Sequence, residues 1–129
     1  MPELTSETLV VTAHAGDFVW RAGGAIALAA SRSERVTIAC LTFGERGESA
    51  RAWREGRSLE EIKAIRRDEA EAAAAALGAE VRFSDAGDYP LLATPQLTDQ
   101  LVDLDRYGLR PLLERLGVEY VAYEDLGDR

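Results

Sequence analysis

Apolar positions in this chain follow two rhythms. Thr8 to Ala13 (TLVVTA) is a short unbroken apolar run with β-branched residues. It stops abruptly at HAGD, the pattern of a central strand buried on both faces. Arg35 to Phe43 (RVTIACLTF) and Glu80 to Asp85 (EVRFSD) read as further strands, and Val118 to Glu124 (VEYVAYE) as a last one. Helical stretches separate them. Ala22 to Arg32 is the first, with Gly23 and Gly24 near its start. The clearest helix opens at Ser58, with Glu61 three residues on as a capping box. Leu59, Ile62, Ile65, Ala73 and Leu77 form its apolar stripe, alanine favours close packing, and Gly78 marks its end. Thr94 and Pro95 make an N-cap and first-turn pair for a helix over Gln96 to Leu104. Gly108 interrupts this stretch, and RPLLERL runs on to Gly117. The segment Gly44 to Gly56 reads as a loop too polar for the core.

The order β-α-β-α-β-α-β predicts one α/β domain over residues 1–129, a Rossmann-like, mainly parallel sheet flanked by helices on both faces. In such sheets ligands gather beyond the C-terminal ends of the strands. His14 and Asp17, Gly44 to Glu48, and Gly87 to Tyr89 all fall at such ends.

Composition narrows the function classes. Fifteen basic against 23 acidic residues in 129 give a formal charge of -8, which argues against a nucleic-acid or anionic-membrane partner. No apolar run reaches the length of a membrane span, and the opening MPELTSE is too polar for a secretory signal. Cys40 is the only cysteine, so an internal disulfide and a cysteine-cluster metal site are excluded, and a buried strand thiol is the reading. The expected compartment is the cytoplasm.

His14, the only histidine, and Asp17 offer an imidazole and a carboxylate suited to zinc or another divalent ion. H-x-x-D supplies only two donors, and a structural histidine is the competing reading. In the following loop, which also holds Glu48, Arg46, Arg51 and Arg54 can hold substrate carboxylates through their planar forks; a solvated charged loop with Trp53 packed down is the alternative. Trp20 either walls a pocket or closes the core, and Asp88 with Tyr89 either reaches the site or forms a tight loop. Arg66, Arg67, Asp68, Glu69 and Glu71 fit a solvated helix face. HAGDFVWRAGG is not a dinucleotide fingerprint, and neither a phosphate-loop G-K-S/T nor a nucleophile-elbow serine occurs.

Three blocks, VVTAHAGDFVWRAGGAIALAA, VTIACLTFGERGES and IRRDEAEAAAAALGAE, resemble the PIG-L/LmbE family of zinc-dependent deacetylase-like proteins. LTFGERGESARAWREG and GDYPL are similar to its 4-oxalomesaconate hydratase branch, and the likeness runs from about Thr8 to Leu92. The family's first strand ends in A-H-P-D-D-E. The resemblance implies that His14 and Asp17 are zinc ligands and that Arg66 and Glu69 order the site loops. The aspartate that serves the deacetylases as general base falls on Gly16, which has no proton to take or give. The family's third ligand is a later histidine that this chain lacks, so the third donor is unidentified; Glu124 and Asp125 are possible substitutes. Whole family members are longer, so the chain reads as truncated or internally deleted, with an oligomer as one way to cover the exposed sheet edge. The resemblance implies hydration of an unsaturated oxo-dicarboxylic or tricarboxylic acid, with Glu48 as a candidate proton carrier and Arg51, Arg54 and Trp20 contacting the carboxylic-acid substrate. The alternatives are amide deacetylation and a non-catalytic scaffold.

Overall fold

The computed structural model describes residues 7–104 and 116–117. The elements are β1 (Glu7–Thr12), α1 (Asp17–Ser31), β2 (Arg35–Cys40), α2 (Ala50–Arg54), α3 (Leu59–Leu77), β3 (Glu80–Phe83) and α4 (Pro95–Leu104). They fall into two compact units, Met1–Leu91 and Leu92–Arg129. The helix expected after Gly108 falls largely, and the strand expected at Val118 to Glu124 wholly, outside the described residues, as do Glu124 and Asp125.

In the first unit the strands form a parallel sheet in the order β1-β2-β3. Val10 stands opposite Ile38, and Ile38 opposite Val81. The strand order steps in one direction, and right-handed crossovers then bring successive helices to the same face. That is the arrangement seen. Phe18 and Ile26 of α1 and Ala70 and Ala74 of α3 share one cluster with Val36, Ile38 and Cys40 of β2.

Helix α1 begins at Asp17, five residues before the expected start. Phe18, Ala22 and Ile26 are spaced four apart, so the core-facing stripe already starts at Phe18, which is buried. The Asp17 carboxylate in the first turn suits the positive end of the helix dipole. Strand β2 ends at Cys40 rather than Phe43, and β3 at Phe83 rather than Asp85. Cys40 is buried, and that burial pushes its thiol up to about 12.

Helix α3 keeps the expected caps. Ser58 Oγ accepts from the Glu61 amide, and Glu61 returns a carboxylate to the Ser58 amide. Gly78 ends it at φ +81, where an added Cβ would lie 2.7 Å from the Ala30 methyl. Arg67 is not simply solvated: its guanidinium lies 5.2 Å from the Phe43 ring, which stacks on Phe83. In the second unit Thr94 Oγ1 accepts from the Leu97 amide, the N-cap bond expected for α4. Among the described residues no helix is long and apolar enough to cross a membrane.

Candidate metal centre

The sheet's C-terminal edge is a junction of three loops. The turn after β1 carries His14 and delivers Asp17 on the first turn of α1. The segment between β2 and α2 carries Glu45 to Glu48. The segment after β3 carries Asp88. His14 Nδ1 lies 3.2 Å from Asp17 Oδ2 and 3.7 Å from Glu48 Oε1. His14, Asp17 and Glu48 each place one donor atom within 4.8 Å of the others. Donors about 2.1 Å from a tetrahedral ion stand about 3.4 Å apart, so this spacing fits a divalent cation.

The other face of the imidazole is fixed. His14 Nε2 is 3.0 Å from Asp88 Oδ1. With the proton on Nε2, His14 donates to Asp88 and turns the Nδ1 lone pair towards Asp17 and Glu48. A carboxylate behind the ring sets the tautomer and raises the basicity of a metal-binding histidine. Asp88 is itself held by the amides of Arg46 and Gly47, which donate to its Oδ2 at 2.8 and 2.7 Å.

Glu45 ties these loops together. It is only 2 % exposed. Its carboxylate accepts from the Phe43 amide and from the Asp88 amide, while its carbonyl accepts from the Trp53 indole. Gly44 at φ +66 makes the bend possible, since a Cβ there would stand 2.9 Å from Glu48 Oε2. Arg66, from α3, donates to Glu48, Glu69 and the Phe43 carbonyl.

The electrostatics follow from these contacts. Burial alone would lower the His14 pKa. The charge of Glu48 and the hydrogen bonds to Asp17 and Asp88 outweigh it and raise the value. For Asp88, burial pushes the pKa up, but the Gly47 and Arg46 amides and His14 together hold it below the usual aspartate value.

The loop expected to be solvated is therefore partly buried. Glu45 and Ser49 are buried because their side chains satisfy backbone groups that water cannot reach. It also contains α2, whose five residues are too short for a readable apolar period. Among the site residues named from sequence, His14, Asp17, Glu48, Arg66 and Glu69 come together. Arg46 contributes its amide, and its guanidinium lies 6.0 Å from the Trp53 ring centroid. Arg51 is paired with Glu55 on the wall of a cavity, and Arg54 is exposed on α2. Trp20 is 90 % exposed and does not close the core; it borders a shallow cavity of about 180 Å³ with Gly16 and Arg66. Sequence reasoning left Asp88 open and missed Glu45. The available signal was an acidic residue beyond each neighbouring strand.

Asp88→Ala would leave two loop amides without an acceptor and the imidazole without its anchor. The expected result is a loss of about 2–3 kcal/mol in chemical denaturation and about 10- to 100-fold weaker metal binding by calorimetry.

Residues 9–112 match the PIG-L family described as GlcNAc-PI de-N-acetylase. The chain belongs to that family. It is 54 % identical over 121 residues to the 4-oxalmesaconate hydratase of Pseudomonas putida (strain KT2440), covering 93 % of this chain and 44 % of the relative. The structure of GalB, the 4-carboxy-2-hydroxymuconate hydratase of the same organism, superposes with a TM-score of 0.75 at 52 % identity, over 77 % of this chain and 42 % of that one. The N,N'-diacetylchitobiose deacetylase of Pyrococcus horikoshii superposes with a TM-score of 0.68 at 27 % identity, over 77 % of this chain and 36 % of that one. The chain thus spans less than half the length of these relatives.

Proposed function

We propose that this chain carries the metal-binding part of a hydratase acting on an unsaturated oxo-carboxylic acid, a di- or tricarboxylate of aromatic-acid breakdown, in the cytoplasm. The observation that carries the reading is the His14–Asp17–Glu48 cluster, backed by Asp88, beside a cavity lined by arginines. The similarity to the two hydratases supports the substrate class.

The proposed ion is zinc, held by His14 and Asp17 with Glu48 at hand as a further donor. Bound there, a divalent ion supplies Lewis-acid polarisation of water or of an enolate oxygen. Hydration adds a hydroxyl to one carbon of the double bond and a proton to its neighbour. Glu48 is the proton carrier: Arg66 holds its Oε2, leaving Oε1 on the side of His14. Arg66 also fixes Glu69 and the loop carbonyl of Phe43, so the same guanidinium sets the position of the carboxylate and of its loop.

Deacetylation is the second reading, favoured by the likeness to the chitobiose deacetylase. Position 16 is against it. Gly16 has no carboxylate to take or give a proton. The deciding experiment is an assay of the zinc-loaded chain on 4-oxalomesaconate and, in parallel, on an N-acetylated amino sugar. Hydration without deacetylation is expected. Deacetylation alone would replace the hydratase reading, and neither activity in a zinc-loaded, folded chain would leave a scaffold.

Metal binding should also depend on pH with a definite sign. Protons and the ion compete for His14, whose raised pKa keeps it protonated to a higher pH than a free imidazole. Zinc affinity is therefore expected to fall as pH drops through that raised value, and to level off above it, in titrations followed by calorimetry.

A further inference from the structure

A cavity of about 330 Å³ lies between α2 and the start of α3. Ala52, Ile62 and Ile65 give it apolar lining, and Glu48 and Arg66 of the metal centre also line it. A compartment that shares a wall with the proton carrier is where the carbon skeleton of a substrate can lie.

The charges around the cavity are mostly spent on one another. Arg51 is bound to Glu55 at 2.9 Å. Arg66 is bound to Glu48 and Glu69 at 3.3 and 3.0 Å. Arg57 remains. Arg57 is exposed and lines the same cavity, and among the described residues its guanidinium has no hydrogen-bond or ion-pair partner. An unengaged planar donor fork beside apolar lining residues is suited to a carboxylate on a short carbon chain.

We propose that Arg57 binds the substrate carboxylate remote from the carbon that is hydrated, and so selects acids with a further carboxylate over shorter or neutral ones. The inference rests on the hydratase reading and adds to it a recognition residue that lies outside the arginines expected from sequence to touch substrate. The interaction is made in the ground state and retained in the transition state, because no charge develops at the remote carboxylate during hydration. Its loss should therefore appear in KM and leave kcat largely in place.

The test is steady-state hydration of 4-oxalomesaconate by the zinc-loaded chain and its R57Q and R57K variants, with binding of the acid, and of an analogue in which the remote carboxylate is a primary amide, measured by calorimetry. For R57Q the expected result is a KM raised about 10- to 100-fold and a kcat within about twofold of the parent. R57K should recover part of the loss, and the amide should bind the parent and R57Q equally weakly. An unchanged KM in R57Q, or a fall in kcat at constant KM, overturns the role of Arg57 while the hydratase reading stands. A parent chain that neither binds nor hydrates the acid removes the hydratase reading, and this inference with it.

Discussion

His14→Ala is expected to abolish metal binding and, with it, all metal-dependent turnover. The imidazole is the one nitrogen donor in the His14–Asp17–Glu48 cluster, and it is held from behind at 3.0 Å by a buried carboxylate. Zinc favours nitrogen and sulfur donors, and two carboxylates alone would leave a weak, hard-donor site. The loss should exceed the about 10- to 100-fold weakening ascribed to disturbance of a group behind the ligands. Atomic absorption of the purified chain should show about one zinc per parent chain, as for a mononuclear site, and none in the variant. The fold should persist, because Asp88 keeps its two amide donors, Arg46 and Gly47, when the ring is gone. Circular dichroism provides that control. Retention of stoichiometric zinc in a folded His14→Ala chain would place the ion elsewhere.

Glu48→Gln separates the two roles that geometry allows this carboxylate. Glutamine preserves the shape and an oxygen donor but cannot accept a proton at neutral pH. The expected outcome is zinc content close to that of the parent and kcat lower by about 10²- to 10⁴-fold, the range for loss of a positioned proton carrier. Arg66 would keep its bond to Glu69, so the α3 side of the site should hold its position. Zinc lost together with turnover would make Glu48 chiefly a ligand. Activity and zinc both unchanged would remove it from the site's chemistry.

The elements that announced themselves in the sequence were those whose signals are local and redundant. The helix α3 carries a capping box, an apolar stripe and a terminal Gly78, and its bounds follow from them. Strands β1 and β2 were legible from unbroken β-branched runs, although the end of each strand was not. A strand end depends on where its partner stops, and β1 already ends at Thr12 while the chain after Cys40 still bonds back to it through Leu41. Helix α1 was read late because Phe18, Val19 and Trp20 are poor helix formers, whereas burial of Phe18 decides the matter.

At the site, His14 and Asp17 were legible because they share one turn. Glu48 and Asp88 lie 34 and 74 residues from His14 and meet it only through the parallel topology. Glu45 was the hardest to foresee. A glutamate in a loop of three glutamates and three arginines carries no sign that its carboxylate will be used up on two backbone amides rather than on water.

That use of Glu45 has a further consequence. The amides of Phe43, Arg46, Gly47 and Asp88 all end on two carboxylates, and each carboxylate sits on the loop that the other one grips. Neither loop can swing away alone. The arrangement behaves as a clasp, with one opening equilibrium for the whole rim of the sheet instead of a separate one for each segment. A metal or substrate that favours the closed form then acts on both loops at once, so occupancy at His14 would be felt as rigidity at Trp53, whose indole is fastened to the same clasp.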